Sequence, residues 1–337
     1  MVIKTMNVSP LTNDSFEGYA WPPEIRHALD REGYSVTFDR EQLHAHAQSC
    51  GQVHFTITFL SREYLALGAL WASCARRVGI ERFAIGAMDE ETVSELQARQ
   101  IPHFSVKVSD ALASQAGFTN RGGFNAKALS IILCRHRIAT ELLERGINVL
   151  CCDIDAIFVR SPLPELSKAD LVFQRVVHFP KRLAFQWGFA LCGGFVACKA
   201  RPGIIRLVKT VVDTQREVSS DQLAWNLALE HHQVEWESSS RPAGDRDALF
   251  GGFLESAHLP IRGRIEHLGI ALLALPATSF WRHKFVNLDW ECCVIVHPNS
   301  PKALEGKLSV FHEIVSSGYK VPHAINALLR YSDAGAT

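Results

Sequence analysis

The most regular pattern in the chain is a series of short apolar runs separated by longer amphipathic stretches. Residues 53–59 (VHFTITF) alternate apolar and polar side chains and are rich in β-branched residues, which predicts a strand. Residues 83–87 and 104–108 predict two further short strands. Stretches with helical periodicity separate them, at 61–78 with Ser61 as a possible cap and at 90–99. This β-α-β-α-β order predicts parallel strands joined by right-handed crossovers, and therefore an α/β fold.

The strongest strand candidate opens the segment 149–164, which reads VLCCDIDAIFVRSPLP and follows a predicted helix at 125–145. An unbroken apolar run of this kind is typical of a strand buried on both faces of a sheet. Asp153 and Asp155 come directly after it, at the sheet edge where open α/β folds bind ligands. Buried carboxylates need a compensating cation, and a divalent metal shared with a phosphorylated substrate provides one. For an isolated pair of aspartates, however, the better interpretation is that one caps the following turn and the other forms an ordinary salt bridge.

The second half of the chain continues the same kind of pattern. Residues 170–174 and 188–198 predict strands, and the second contains paired glycines, which indicate that something approaches its backbone closely. Helices are predicted at 202–218 and from 219 onward, and a late strand at 292–296 leads into His297. We therefore predict a mixed, mostly parallel sheet flanked by helices. The predicted organisation is an N-terminal extension at 1–50, one domain at 51–330 and a frayed tail at 331–337.

Composition narrows the class of protein. Hydrophobic residues make up 47% and charged residues 21% of the 337 residues, which is typical of a globular chain. Lys plus Arg and Asp plus Glu number 35 each, so no overall charge favours nucleic acid. No apolar run resembles a signal peptide or a transmembrane segment. The nine cysteines are odd in number and form no C-x-x-C motif, which disfavours zinc and favours a cytoplasmic location.

Three separate motifs carry the candidate chemistry. They are Asp153-x-Asp155, Asp221-Gln222 at a predicted helix start, and His297 at the end of a predicted strand. Two carboxylates and one imidazole suit Mn²⁺, which accepts oxygen and nitrogen ligands, better than Mg²⁺. Each motif also has a simpler interpretation, since Asp221 fits a helix N-cap and His297 fits a hydrogen-bonded core histidine.

The motifs together resemble the nucleotide-diphospho-sugar transferase family, GT-A glycosyltransferases that include plant pectin xylosyltransferases and arabinosyltransferases. The resemblance covers roughly residues 53–310 in the family's order. It is carried by residues 57–80, AMDEET (87–92), Lys127, ERGINVLCCDIDAIFVRSP (144–162), GGFVACKARP (193–202), SSDQLAWNLAL (219–229), IVHPN (295–299) and Gly306-Lys307. It implies a GT-A-like fold and transfer of a sugar from a nucleoside diphosphate sugar, with a UDP-sugar the first candidate, to an acceptor hydroxyl with retention of configuration.

The resemblance also implies roles for individual residues. Asp153, Asp155 and His297 are expected to hold Mn²⁺ or Mg²⁺, with Asp153 also at the donor. Asp221 and Gln222 are expected beside the transferred sugar as the catalytic pair. The remaining donor-binding residues are expected to be Thr58, at the end of the first strand, and Asp89, Lys127, Gly193, Gly194 and Lys307. Gly193 departs from the asparagine that the family usually has before its Gly-Phe pair, which leaves the identity of the sugar open.

Two alternatives come from other classes of protein. A phosphatase of the haloacid dehalogenase type also uses an apolar strand followed by D-x-D, but it places that motif at the start of its domain. Here about a hundred residues of α/β pattern come first. A non-catalytic nucleotide-sugar-binding module is the other alternative. The acceptor remains open among saccharide, lipid, protein and small molecule.

Overall fold

The computed structural model describes residues 19–23, 25–27, 37–48, 54–107, 126–237, 245–282, 289–298 and 305–309. The predicted tail at 331–337 and the start of the predicted helix at 125 lie outside these residues. Among the helices within them, none combines the length and the apolar character that a bilayer crossing requires.

The strands are numbered in chain order. They are β1 (Thr37–Phe38), β2 (Phe55–Leu60), β3 (Phe83–Ala87), β4 (His103–Lys107), β5 (Val149–Cys152), β6 (Ile157–Phe158), β7 (Leu171–Val176), β8 (Ala190–Cys198), β9 (Glu235–Trp236), β10 (Ile261–Ile265), β11 (Ile270–Ala274), β12 (Phe280–Arg282) and β13 (Ile295–His297).

The α-helices of the described residues lie between these strands. They span Arg40–Ala47, Leu65–Arg77, Glu90–Ala98, Ala126–Glu144, Leu163–Leu166, Lys181–Trp187, Pro202–Thr214, Asp221–His231 and Arg246–Glu255. Short 3₁₀ turns occupy Arg62–Tyr64 and Glu266–Leu268, and residues 305–309 are helical.

Ten of the described strands form one sheet in the order β1-β4-β3-β2-β5-β8-β7-β11-β10-β9. Within this sheet the neighbours in the run β4-β3-β2-β5 are parallel, and so are β7 and β11. The other neighbouring strands are antiparallel. A second sheet has the order β12-β13-β6. The predicted mixed α/β sheet flanked by helices is confirmed. Part of the predicted N-terminal extension contributes β1, which pairs with β4 at the sheet edge.

The large sheet lies between two hydrophobic clusters. Alternate residues of β5 supply both, because Val149 and Cys151 belong to one cluster and Leu150 and Cys152 to the other. Side chains alternate between the two faces of a strand, so β5 is covered on both sides, as its unbroken apolar run predicts. The last buried residue of β5 directly precedes the first aspartate of the D-x-D motif.

Two local predictions are wrong. Thr58 does not end the first strand, because β2 keeps pairing with β3 as far as Leu60. Ser61 precedes the 3₁₀ turn but makes no side-chain capping bond, because its hydroxyl donates to the carboxylate of Glu63 at 2.6 Å.

Candidate functional site

Three candidate cation ligands meet where β5 and β13 end. Asp153 follows β5, Asp155 lies two residues later, and His297 is the last residue of β13. The Nε2 atom of His297 lies 3.4 Å from Asp153 Oδ2 and 3.6 Å from Asp155 Oδ1. One ligand atom from each residue lies within 4.8 Å of the other two. Ligands bound about 2.1 Å from one ion lie roughly 3–3.5 Å apart, so this spacing fits a single divalent cation.

A glutamine orients the imidazole of His297. Gln174, fully buried in β7, places Oε1 2.7 Å from Nδ1 of His297. Its Nε2 donates to the carbonyl oxygens of Phe280 and Trp281 at 2.9 and 3.3 Å. Because these bonds fix the amide nitrogen, Oε1 accepts from His297, so Nδ1 carries a proton and Nε2 points to the carboxylates. Metal-ligating histidines in proteins are oriented by partners of this kind.

A buried arginine joins two of the sequence motifs. Arg135 donates through Nη2 to Asp153 Oδ1 at 2.5 Å and through Nη1 to Asp221 Oδ2 at 3.2 Å. Nη1 also donates to the carbonyl oxygen of Gly193 at 3.1 Å. The Arg135 side chain is only 5% exposed. Its planar fork therefore fixes the position of Asp221 relative to the D-x-D motif.

The paired glycines of β8 allow these side chains to approach the strand. A Cβ atom on Gly193 meets the Asp221 carboxylate, with Oδ2 at 2.8 Å. A Cβ atom on Gly194 collides with Asp153 Oδ2 and with His297 Cε1. Neighbouring strand residues face opposite sides of the sheet, so each glycine makes room for a different part of the site. The predicted close approach to this backbone is confirmed, and the approaching groups belong to the chain itself.

Asp221 and Gln222 begin the helix Asp221–His231. The hydroxyl of Ser220 caps this helix. Asp221 is therefore not the N-cap, and that simpler interpretation is wrong. Its Oδ1 accepts the backbone N–H of Gln222 at 2.7 Å, while its Oδ2 is bound by Arg135.

The side chain of Gln222 is anchored through its amide nitrogen. Nε2 donates to the carbonyl oxygen of Phe179 at 2.5 Å. Within the described residues, Oε1 of Gln222 accepts no hydrogen bond. The anchored amide therefore keeps its oxygen as an available acceptor.

Two more cations border the cation ligands. Lys307 forms an ion pair with Asp155 Oδ2. Arg282, at the end of β12, places Nη1 2.7 Å from the Cys192 thiol and 3.2 Å from Nε2 of His297. A positive border of this kind suits an anionic ligand at the same place.

The charged neighbours govern ionisation in the site. Burial opposes ionisation of Asp153, but the charge of Arg135 and the bond to His297 outweigh it and hold the pKa of Asp153 well below its ordinary value. For Asp155, burial is likewise outweighed, chiefly by Lys307, and the pKa is lowered. Burial and then the Arg282 charge favour neutral His297, but the carboxylates raise its pKa above the ordinary value. Both carboxylates are therefore ionised at neutral pH, as cation ligands must be.

Three other expected residues are not brought into this cluster by any described contact. Thr58 is fully buried within β2, and its hydroxyl has no hydrogen-bond partner within the described residues. Asp89 caps the helix Glu90–Ala98 and also accepts the backbone N–H of Arg62 at 3.0 Å. The side chain of Lys127 lies outside the described residues. A role at the donor stays a prediction for all three.

Arg135, Gln174 and Arg282 are absent from the sequence prediction. Arg135 stands beside the apolar stripe of a predicted helix, and Gln174 ends a predicted buried strand. A charged or amide side chain at such a position requires a buried partner. That requirement was a usable signal, but it does not identify the partner.

Comparison with known proteins places this geometry in context. A model of the nucleotide-diphospho-sugar transferase family matches residues 78–311, more than half of the chain. No curated protein matches the sequence.

Several solved structures are similar to this one. The galactosyltransferase LgtC in complex with donor and acceptor sugar analogues is 11% identical, with 81% of this chain and 99% of that one covered and a TM-score of 0.40. Mouse xyloside xylosyltransferase 1 is 10% identical, with coverages of 53% and 82% and a TM-score of 0.35. The glycosyltransferase GlyE of Streptococcus pneumoniae TIGR4 is 12% identical, with coverages of 84% and 64% and a TM-score of 0.39.

Proposed function

Since the chain belongs to the nucleotide-diphospho-sugar transferase family and is therefore a glycosyltransferase, we propose that it moves a sugar from a UDP-sugar to an acceptor hydroxyl with retention of configuration. Asp153, Asp155 and His297 hold a divalent cation in this proposal, with Mn²⁺ preferred over Mg²⁺. The observation that carries the proposal is the convergence of these three ligand atoms within 4.8 Å, beside the Arg135–Asp221 ion pair.

The ligand atoms fit the proposed ion chemically. Mn²⁺ accepts carboxylate oxygen and imidazole nitrogen together, whereas Mg²⁺ favours oxygen alone. The lone pair that ligation needs is on Nε2 of His297, because Gln174 engages Nδ1. When bound, the cation supplies charge stabilisation for the departing diphosphate.

Other residues of the site have proposed roles in binding the diphosphate and the sugar. Lys307, at Asp155, supplies a positive charge that neutralises a diphosphate arriving beside it. Arg135 holds the Asp221 carboxylate beside the Gly193 backbone, and that carboxylate is the acceptor proposed for a hydroxyl of the sugar. Gly193 has no side chain, and the Asp221 carboxylate lies against this side of β8, in the space that a Cβ atom would take.

Gln222 is the proposed polar group at the anomeric carbon. Its amide nitrogen is bound to the carbonyl oxygen of Phe179, so its oxygen is the end that can face a positively charged sugar. Breaking the sugar–phosphate bond leaves an oxocarbenium-like sugar, and a fixed amide dipole stabilises that charge. The acceptor hydroxyl then attacks from the side that the diphosphate leaves and gives its proton to the departing diphosphate oxygen, which retains the configuration.

Calorimetry with UDP and with GDP, each with and without Mn²⁺, tests the proposal. We expect UDP to bind with Mn²⁺ present and Asp155→Asn to abolish the metal-dependent part, because Asp155 is a buried ligand. Asp213→Asn is the matched control, since Asp213 is an exposed carboxylate in an ion pair with Arg216 and should not change binding. Failure of both nucleotides to bind with Mn²⁺ defeats the proposed function, and normal UDP binding by Asp155→Asn defeats the metal assignment.

Retention has its own test. NMR of the product reports the configuration of the anomeric carbon directly, and we expect the configuration of the donor. An inverted product removes the proposed role of Gln222 but leaves the transferase assignment intact. The cytoplasmic location stays a prediction from the cysteine pattern.

A further inference from the structure

The segment before β1 contacts the corner that carries Asp221 and Gln222. Residues 19–23 and 25–27 of this segment are described, and they lie outside the family match at 78–311. We infer that Tyr19 is a positioning residue that holds Gln222 in its productive place. The inference rests on the proposed function, because it assumes that Gln222 faces the transferred sugar.

The first contact is to the backbone just before the helix Asp221–His231. The carbonyl oxygen of Tyr19 accepts from the backbone N–H of Ser219 at 2.6 Å and from its hydroxyl at 2.9 Å. Ala20 and Val218 form an antiparallel bridge beside it. Ser219 is fully buried and is separated from Asp221 by one residue, Ser220. The segment therefore fixes the turn from which the catalytic helix starts.

The second contact reaches the side chain of Gln222 from the other direction. The rings of Tyr19 and Phe179 lie 4.6 Å apart between centroids, tilted by 32°. The carbonyl oxygen of Phe179 accepts from Nε2 of Gln222 at 2.5 Å. Tyr19 thus touches the residue that anchors the Gln222 amide as well as the turn that anchors the Gln222 backbone. Groups that stabilise a transition state must be held within about 0.5 Å, and two supports of this kind restrict such movement.

A separate set of contacts fastens the segment itself. Trp21 is 5% exposed and donates through Nε1 to the carbonyl oxygen of Gln215 at 2.8 Å. Arg26 forms an ion pair with Glu217. The burial that attaches the segment is therefore concentrated at Trp21 and Ile25, whereas Tyr19 is only half-buried. Tyr19 can be changed while this attachment is kept.

The test compares Tyr19→Ala with Tyr19→Phe, which keeps the ring, and with Arg26→Ala, which alters the same segment away from Gln222. Three quantities are measured. They are the hydrogen-exchange rate of residues 219–226, the affinity for UDP with Mn²⁺, and kcat and KM with whichever of UDP-glucose, UDP-galactose and UDP-xylose is turned over.

For Tyr19→Ala we expect exchange to accelerate and kcat to fall about tenfold or more, since misplacement by about 1 Å can cost a hundredfold. Donor KM and UDP affinity should stay within about twofold of wild type, because the substitution changes none of the residues proposed to bind the metal or the diphosphate. Tyr19→Phe and Arg26→Ala should behave as wild type. This split separates positioning from general destabilisation, which lowers the affinity for UDP together with kcat.

The inference is overturned if Tyr19→Ala leaves either the exchange rate or kcat unchanged. It is also overturned if the UDP affinity of Tyr19→Ala falls in proportion to its kcat and Tyr19→Phe does not restore that affinity. A wild-type protein that binds neither UDP nor GDP with Mn²⁺, or that turns over no donor, overturns the proposed function and this inference with it. Wild-type binding and turnover combined with an unaffected Tyr19→Ala overturns the inference alone.

Discussion

Gly194→Ala is the sharpest perturbation of the candidate cation site. A Cβ atom at this position lies 2.8 Å from Asp153 Cγ and closer still to Asp153 Oδ2 and His297 Cε1. Ordinary contact starts at 3.4 Å, so the carboxyl carbon has to retreat by about 0.6 Å. It cannot retreat freely, because its other oxygen is held by Arg135, whose side chain is 5% exposed. The added methyl group therefore separates the cation ligands or shifts β8.

The displacement exceeds the roughly 0.5 Å tolerance of a preorganised site. We expect the affinity for UDP in the presence of Mn²⁺ to fall at least about tenfold, which corresponds to about 1.4 kcal/mol. Overpacking at a buried position also costs about 1–3 kcal/mol in the free energy of unfolding. Affinity for UDP without metal should change much less, since the collision is with the cation ligands.

Calorimetry and urea denaturation of Gly194→Ala and Gly251→Ala measure these effects. Gly251 lies within the helix Arg246–Glu255, and a Cβ atom there meets nothing within 4 Å. That control should keep wild-type binding and gain about 0.5–1 kcal/mol of stability, because alanine restricts the unfolded chain. If Gly194→Ala binds UDP and Mn²⁺ as wild type does, the close approach of Asp153 and His297 to β8 is not what holds the site.

Three further predictions follow from buried polar side chains. Arg135→Lys keeps the charge but loses the fork that reaches two carboxylates, so we expect urea denaturation to show a loss of about 1–3 kcal/mol, and equal stability contradicts this. Gln174→Leu removes the acceptor of the His297 Nδ1–H and should weaken Mn²⁺ binding about 10–100-fold by calorimetry, so unchanged affinity rejects that role. Burial, assisted by the charge of Lys199, lowers the pKa of His54 to about 4. Between about pH 6.5 and 4 the unfolded chain therefore binds more protons than the folded one. The free energy of unfolding then falls on acidification by up to about 1.4 kcal/mol per pH unit. His54→Gln should flatten that part of a pH series of urea denaturation, and an unaltered slope refutes the assignment.

Strands with an unbroken apolar pattern were predictable from the sequence. The run before the D-x-D motif predicts a strand covered on both faces, and β5 supplies residues to both hydrophobic clusters. The pattern is informative because every position of such a strand is buried, so each one excludes polar residues. The direction of β8 was less predictable, because an apolar strand has the same sequence pattern whether its neighbours run parallel or antiparallel. It pairs antiparallel with both β5 and β7.

The polar contacts of the site were much less predictable. Gln174 and His297 are 123 residues apart, and Arg135 and Asp221 are 86 apart. Local pattern shows that a buried polar side chain needs a partner, but the partner is chosen by the tertiary fold. Ser220 illustrates the same limit at short range. Its neighbour Asp221 is an equally good cap by type, and only the contact with Arg135 shows why Asp221 is used elsewhere.

The balance of charge in the site supports the proposal that a metal and a diphosphate bind there together. Three carboxylates and three cations lie at the site: Arg135 and Lys307 pair with Asp153, Asp155 and Asp221, and Arg282 lies beside His297. A divalent cation alone adds positive charge beside Lys307, and a diphosphate alone adds negative charge beside the aspartates. Each is costly in a buried setting. Arriving together they nearly cancel, and Lys307 exchanges a carboxylate partner for a phosphate partner. The ion pair with Asp155 is thus the contact that has to be given up for the proposed donor to bind.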